Sequence, residues 1–243
     1  MTRKTISAPA RGMAVITAAI AAMLLFLAAV ARPSARAIAA PAPSVDLMVR
    51  SAATLDTAVL SGGCFWGVQA VFEHVKGVTG VTAGYAGGPA SAAYYERVST
   101  GTTGHAESVR IVYDPAKVTY GQLLRVFFSV AHDPTELDRQ GPDVGPQYRS
   151  VIWYTTPEQQ RIATAYIAQL GAAKYFPKPI VTRVEAFHGF YPAEAYHQDY
   201  LIHHPDVPYI VINDKPKLEH FRRALPELWQ NTPVVYAADE AAR

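Results

Sequence analysis

The single cysteine of the 243-residue chain, Cys64, is the side chain best suited to nucleophilic or redox chemistry. It stands in the sequence Ser-Gly-Gly-Cys-Phe-Trp-Gly, residues 61–67, between two glycines and two large aromatic residues. Glycines allow a backbone to come close to a bound molecule, and Phe65 and Trp66 could line a small apolar pocket beside the sulfur. A lone cysteine is also often a buried structural residue, so this run alone leaves both interpretations open.

The residues on either side of Cys64 predict a strand followed by a helix. Residues 56–60 form a short strand-like run, and Val68, Val71 and Phe72 recur at helical spacing after the cysteine. Cys64 is therefore predicted to begin a helix, where the partial positive charge and the free N–H groups favour the thiolate over the thiol.

The beginning of the chain predicts a secretory signal. Basic residues precede an uncharged apolar run at 12–31, and the small residues Ala-Arg-Ala at 35–37 resemble a cleavage site. We therefore predict that residues 1–37 are a signal peptide and that the protein is exported to the periplasm. The apolar run is also long enough to span a bilayer, so an uncleaved membrane anchor is the alternative.

The charge of the remaining residues argues against nucleic-acid binding. Without residues 1–37, Lys plus Arg fall from 22 to 17 against 20 Asp plus Glu, so the net charge changes from +2 to −3. Residues 38–55 are predicted to be a flexible tether, residues 56–230 a single domain and residues 231–243 a C-terminal tail. The domain is long enough to bury a sizeable core.

Strand and helix patterns alternate along the domain. Strands are predicted at 78–85, 107–113, 150–154 and 179–184, the second of them with Glu107, Val109, Ile111 and Tyr113 on one face. Thr119 and Gln122 form a capping box, Thr156 begins a further helix that Gly171 is expected to end, and short helices are predicted at 196–203 and 217–225. The pattern predicts a mixed sheet flanked by helices, in the α+β or α/β class.

Two loops carry side chains that could take part in chemistry. A glycine-flanked loop at 101–107 brings the carboxyl group of Glu107 to the beginning of a strand. A long loop of Asp, Gly and Pro follows His132 and contains Asp143 and Tyr148. Long irregular loops in compact domains are usually functional or disordered, and the tyrosine and the following strand argue for an ordered loop.

Four motifs follow one another as in peptide methionine sulfoxide reductases of the A class, a family that the chain resembles. They are Gly-Cys-Phe-Trp-Gly at 63–67, Gly-His-Ala-Glu at 104–107, His-Asp-Pro at 132–134 and Gly-Pro-Gln-Tyr-Arg at 145–149. The resemblance covers roughly residues 57–220. It implies the reduction of methionine S-sulfoxide, free or in oxidised proteins, to methionine. The expected fold class is α+β, a two-layer α/β sandwich built as a ferredoxin-like plait with a mixed sheet and flanking helices.

The resemblance also implies roles for individual residues. Cys64 matches the nucleophile, and Phe65 and Trp66 match the pocket that receives the methyl group of the sulfoxide. Glu107 matches the acid that protonates the sulfoxide oxygen.

Three further side chains match groups around that oxygen. Tyr95 and Tyr148 match hydroxyl donors, and Asp143 matches a carboxylate held near the site. Tyr94 precedes Tyr95 directly, so the choice between these two tyrosines stays open.

These residue types fit the chemistry without the family name. A sulfoxide oxygen is a poor leaving group until it is protonated, and burial of Glu107 beside aromatic rings would keep its carboxyl protonated. Attack would leave Cys64 as a sulfenic acid, which another thiol can reduce.

The chain departs from many members of this family because it has no second cysteine. We therefore expect no bound cofactor and no metal, and an external thiol as reductant. For an exported enzyme this reductant would be an exported thioredoxin-like protein or a small thiol.

Two other functions remain as alternatives. Cys64 could serve an exported cysteine hydrolase or acyl transferase that uses one of the eight histidines. A metal-binding module could instead form on His197, His203 and His204, although Pro205 ends that predicted helix at once.

Overall fold

A six-stranded mixed sheet forms the centre of a computed structural model that describes residues 39–47 and 54–236. The strands, in chain order, are β1 (Asp56–Gly62), β2 (Val78–Ala86), β3 (Ala106–Tyr113), β4 (Arg139–Gln140), β5 (Asp143–Val144), β6 (Ser150–Tyr154), β7 (Arg183–Ala186) and β8 (Phe190–Pro192). Their spatial order in the sheet is β7-β6-β1-β3-β2-β8, and β4 pairs with β5 in a separate ribbon. Only the β6–β7 pair within this sheet is parallel.

Helices connect the strands and cover the sheet. They are α1 (Phe65–Glu73), α2 (Tyr95–Val98), α3 (Tyr120–Val126), α4 (Pro157–Ala172), α5 (Tyr200–His203) and α6 (Lys215–Ala224). The succession β1-α1-β2-β3-α3-β6 with the spatial order β6-β1-β3-β2 is the ferredoxin-like arrangement. The predicted α+β fold class is therefore confirmed, and β7 and β8 extend the plait at its two edges.

The core lies between the sheet and the helices because the apolar periodicities of the two layers agree. Val109, Ile111 and Tyr113 share the inner face of β3 and are fully buried. Val68 and Phe72 of α1 pack into the same core cluster. This packing fixes the beginning of α1 beside the beginning of β3, which is where the predicted site residues lie.

The predicted helix starts are observed. The hydroxyl of Thr119 accepts a hydrogen bond from the Gln122 backbone N–H, and the Gln122 side chain accepts one from the Thr119 backbone N–H. The chain continues from α3 into a π-helical turn, Phe127–Ala131. Helix α4 begins after Thr156 and ends at Ala172, so Gly171 lies in its last turn.

Two predicted elements differ from the observed ones. The strand predicted at 179–184 is observed at Arg183–Ala186, because the Val181 N–H donates to the Pro134 carbonyl and not to the sheet. The helix predicted at 196–203 is divided into a 3-10 turn, Ala195–His197, and α5. Asp199 interrupts it with a φ of 51°, a left-handed conformation in which its N–H donates to the Gln69 side chain.

Part of the predicted tether is docked on the domain. The Asp46 carboxylate accepts hydrogen bonds from the Thr119 hydroxyl at 2.5 Å and from the Gly121 N–H at 2.8 Å. Ala40 is fully buried, and its carbonyl accepts from the Arg125 guanidinium. Residues 39–47 of the predicted tether therefore contact the domain, where the Asp46 carboxylate satisfies free donors at the start of α3.

The predicted signal peptide or membrane anchor, residues 1–37, lies outside the described residues. Within 39–47 and 54–236, no helix has both the length and the apolar character needed to cross a membrane.

Candidate active site

Cys64 lies between the end of β1 and the beginning of α1, where it is the N-cap residue of the helix. Gly63 before it has a φ of 90°, a conformation that favours glycine. A Cβ at Gly63 would also lie 2.5 Å from the Gln140 Cβ. The glycine therefore lets the β4–β5 ribbon close over the strand end, and the Cys64 side chain is left only 8% exposed.

A cavity of about 210 Å³, called the first cavity below, lies beside Cys64. It is lined by Cys64, Phe65, Trp66, Tyr95, Glu107, Asp143, Tyr148 and Tyr209. The structure thus brings together all seven side chains that the sequence singled out, although they come from separate elements and loops. Tyr95 lines the cavity, whereas Tyr94 is 43% exposed and does not line it.

Glu107 is a buried carboxyl group at the wall of the first cavity. The residue is 3% exposed, and its Oε2 accepts a hydrogen bond of 3.0 Å from the Phe65 backbone N–H. Burial raises the pKa of Glu107 to about 8, with a smaller raising contribution from Asp143 and a lowering one from the Phe65 N–H. At neutral pH the group can therefore give a proton to an oxygen atom bound beside it.

The thiol of Cys64 does not behave as its place at a helix start predicts. Burial raises its pKa well above the ordinary value, and the charges of Glu107 and Asp214 raise it further. The Trp66 N–H and the charge of Lys217 act in the opposite direction but contribute less. The expectation of a resting thiolate is therefore wrong, because desolvation exceeds the effect of the helix N-terminus.

Aromatic contacts hold the indole of Trp66 in place. Its ring stacks on Tyr200 with a centroid distance of 3.8 Å and an interplanar angle of 7°, and Tyr209 contacts it edge-on. The indole Nε1 donates to His197 Nδ1 at 3.1 Å. Phe65 packs against the other side of His197, with 5.1 Å between ring centroids. The apolar wall of the cavity is therefore formed before any ligand binds.

Hydroxyl groups complete the polar part of the cavity. Burial raises the pKa of Tyr95, Tyr148 and Tyr209, so each keeps its proton. The Tyr209 hydroxyl donates to Asp143 Oδ2 at 2.5 Å. Tyr95 and Tyr148 can donate to an oxygen on which negative charge develops.

Tyr209 is the lining residue that sequence reasoning missed. It lies far from Cys64 along the chain, directly after Pro208, in a stretch of apolar residues. Such a tyrosine has no spacing that distinguishes it from a core residue. Tyr209 reaches the first cavity because of how the chain folds beyond α5, which its neighbouring residues do not indicate.

The geometry does not favour the two alternative functions. Within the described chain, no histidine lines the cavities at Cys64. His132 is buried with its ring nitrogens near the Phe127 carbonyl and the Ser150 hydroxyl, and burial lowers its pKa to about 3. Residues 39–47 and 54–236 contain no group of three or more His, Cys, Asp or Glu side chains that could hold a metal ion.

Comparisons with known proteins agree with this geometry. The family model described as peptide methionine sulfoxide reductase matches residues 56–228. A relative from Mesorhizobium japonicum, peptide methionine sulfoxide reductase MsrA 2, is 57% identical over 180 residues, which cover 74% of this chain and 92% of the relative.

Two solved structures are similar in fold. Methionine sulfoxide reductase A of Corynebacterium diphtheriae has a TM-score of 0.55 and 34% identity, covering 67% of this chain and 82% of that one. The reduced form of Mxr1 from Saccharomyces cerevisiae has a TM-score of 0.58 and 29% identity, covering 68% of this chain and 92% of that one.

The matched residues include every side chain that lines the first cavity, from Cys64 to Tyr209. The family model and the 57% identical relative carry the same description, peptide methionine sulfoxide reductase. The chain therefore belongs to the peptide methionine sulfoxide reductase family and is an oxidoreductase of that class.

Proposed function

We propose that the protein reduces methionine S-sulfoxide, free or in oxidised proteins, by attack of the Cys64 sulfur on the sulfoxide sulfur. The observation that carries this proposal is the buried carboxyl of Glu107, whose pKa burial raises to about 8, in the same small cavity as Cys64. A thiol and an acid beside an apolar wall are the groups that removal of a sulfoxide oxygen requires.

The cavity suggests how the substrate binds. The methyl group would lie against Phe65 and Trp66, whose rings are already fixed by their neighbours. The oxygen would point to Glu107 and to the hydroxyls of Tyr95 and Tyr148. Because sulfur, methyl group and oxygen each have a fixed contact, only one epimer fits, and the family resemblance indicates that this is the S epimer.

The proposed reaction moves one oxygen atom and two electrons. Glu107 protonates the sulfoxide oxygen, the Cys64 thiol gives up its proton as its sulfur attacks, and methionine leaves. Cys64 retains the oxygen as a sulfenic acid. The carboxylate of Glu107 recovers a proton from the medium, so the acid is ready for the next cycle.

A second thiol must return Cys64 to its starting state, because the 243 residues contain no other cysteine. One external thiol would displace the oxygen as water and form a mixed disulfide with Cys64, and another thiol would release the enzyme. We propose that this reductant is a thioredoxin-like protein or a small thiol.

We also propose that the protein is exported to the periplasm and that residues 1–37 direct it there. The support is the basic start, apolar run and small-residue site of this segment. If the segment is not cleaved, residues 12–31 would anchor the enzyme in the membrane. In either case the reductant must be exported as well.

A single turnover without reductant tests the chemical proposal. The purified protein is mixed with each epimer of methionine sulfoxide separately, and methionine and the mass of Cys64 are measured. We expect one methionine per enzyme from the S epimer only, together with one added oxygen on Cys64. The Cys64→Ser variant should produce none. Absence of methionine with both epimers, with an unmodified thiol, would overturn the proposal.

A further inference from the structure

A second cavity of about 160 Å³ is also lined by Cys64. It is lined by Cys64, Gln140, Gly141, Pro142, Asp143, Tyr209, Asn213 and Lys217. Cys64, Asp143 and Tyr209 line both cavities. The Tyr209 hydroxyl is hydrogen-bonded to Asp143, so this pair lies between the two cavities, and Cys64 borders both of them.

The two cavities offer different chemistry. The first contains the acid Glu107 and the rings of Phe65 and Trp66, whereas the second contains amide side chains, a Gly-Pro turn and the ammonium group of Lys217. The second cavity therefore has neither the acid nor the apolar wall that a sulfoxide needs. It contains instead amide groups and the ion-paired Lys217, together with the Asp143 carboxylate that lines both cavities.

Lys217 is held firmly beside the beginning of α1. Its Nζ donates to Asp214 Oδ1 at 3.0 Å, and Asp214 is fully buried with its second oxygen, Oδ2, lacking a hydrogen-bond partner. A Cβ at Gly67 would lie 2.8 Å from the Lys217 Nζ, so the ammonium group packs against the first turn of the helix. Its charge lowers the pKa of Cys64, but the charge of Asp214, its partner, raises that pKa by more.

The chemistry of regeneration requires two directions of approach. A thiolate that reduces a sulfenic acid attacks sulfur on the side opposite to the departing oxygen, as in other displacements at sulfur. In the proposed function this oxygen lies in the first cavity, where Glu107 can protonate it as it leaves as water. The attacking thiolate must then arrive from another side of Cys64.

We propose that the second cavity is the entry site for the reducing thiol. This inference rests on the proposed function and assigns the place where the same active site receives its reductant. The thiolate forms a sulfur–sulfur bond with Cys64 as the sulfur–oxygen bond breaks, and the hydroxide leaves with a proton from Glu107. A second equivalent of thiol then attacks the mixed disulfide, which yields reduced Cys64 and oxidised reductant.

The surroundings of the second cavity favour a protein as the carrier of this thiol. Val144 follows Asp143 directly and is 68% exposed, and Val211 and Ile212 precede Asn213 and are 44% and 70% exposed. Exposed apolar side chains often belong to protein contact surfaces, and these three lie next to or near lining residues of the second cavity in the sequence. A thioredoxin-like protein with an apolar surface around its cysteine would cover them.

Variants that fill the second cavity from opposite walls test the inference. Asn213→Trp adds a ring from the turn before α6, and Pro142→Trp adds one from the β4–β5 connection. Cys64 is first converted to its sulfenic acid by one turnover with methionine sulfoxide. Its reduction by dithiothreitol or by a reduced thioredoxin is then followed by mass spectrometry in quenched samples.

With both reductants, we expect the rate constant for sulfenic acid reduction to fall roughly tenfold more than that for methionine formation, because access limits thiol attack. Equal loss in both steps, or no loss in either, would overturn the inference. Leu55→Trp is the matched control because Leu55 is exposed and does not line the cavity. If the unmodified protein forms no methionine at all, the proposed function fails instead.

A further pair of variants distinguishes the two sources of the thiol. Val144→Asp combined with Ile212→Asp should slow reduction by thioredoxin and leave reduction by dithiothreitol as it was. Leu55→Asp, an exposed apolar residue outside this group, is the control. If the rate of reduction by thioredoxin is unchanged, the inference that a protein carries the thiol is overturned, and the second cavity is assigned to a small thiol.

Discussion

The two ends of helix α1 each have a buried carboxyl group beside them, and only one of these groups faces a cavity at the reactive sulfur. At the beginning of the helix, Glu107 is 3% exposed and lines the first cavity with Cys64. At its end, Glu73 is 1% exposed and belongs to neither cavity. Burial is the largest cause of a raised pKa in both cases.

The end of α1 is closed by polar contacts. A hydrogen bond with Asp199, and the charge of that group, raise the pKa of Glu73 further. The Val234 N–H donates to the Glu73 carbonyl, and the Tyr236 N–H donates to the Asp199 carboxylate at 3.1 Å. A raised pKa therefore marks burial, and an acid becomes a candidate for catalysis only where a nucleophile and an opening accompany it.

The largest expected difference between the two acids is in the rate of methionine formation. Glu107→Gln should lower the single-turnover rate constant by roughly 10² to 10⁴, because no proton is then delivered to the oxygen. Glu73→Gln, the matched control, should change it little. Similar losses in both variants, measured by quenched flow with the S epimer, would contradict the distinction between the two ends.

The pH dependence of methionine formation should also report the ionisation of Glu107. At low substrate concentration, the rate constant should rise as Cys64 ionises and level off at about pH 8, where Glu107 begins to lose its proton. The Glu107→Gln rate should be lower and should continue to rise above that pH. If the rate constant of the Glu107→Gln variant also levels off at about pH 8, another ionising group must be the cause.

The stability of the protein should also depend on both acids. The pKa of Glu107 and of Glu73 is higher in the folded than in the unfolded chain, so the folded state binds more protons above about pH 4.5. Stability should therefore fall as pH rises from that value, up to about pH 8 for Glu107. Urea unfolding at several pH values should give a flatter profile for each Gln variant, and unchanged profiles would contradict the pKa directions.

The smallest effect is expected from opening the closed end of α1. Truncation after Pro233 removes the Val234 and Tyr236 donors and should lower the free energy of unfolding by about 1–3 kcal/mol, because buried acceptors lose their partners. Methionine formation at moderate temperature should be retained. Truncation after Tyr236 keeps both donors and is the control. A loss of activity without a loss of stability would indicate that residues 234–236 contribute to the reaction.

Local patterns predicted the elements that carry the site. The capping box of Thr119 and Gln122 and the alternation along β3 depend on neighbouring residues, so both could be recognised from the sequence. The motifs around Cys64 and Glu107 brought the seven candidate residues together through a family resemblance. The roles assigned to them stay predictions until the variants are measured.

Long-range contacts account for what the sequence did not reveal. Tyr209 enters the first cavity, and Asp199 meets Glu73, only because distant parts of the chain fold together. The pKa of Cys64 was predicted in the wrong direction because the helix start is local, whereas burial and the charges of Glu107 and Asp214 depend on the whole fold. Sequence patterns thus located the reactive groups but not their protonation.

The docked segment at 39–47 limits how far the chain can be shortened by proteolysis. A cut after Leu47 would remove the carboxylate of Asp46 from the start of α3 and would leave the Gly121 N–H without that acceptor. A cut after Ala37 would spare these contacts, since the buried Ala40 lies beyond it. The fold therefore distinguishes a tolerated processing site from a damaging one, over a distance of a few residues.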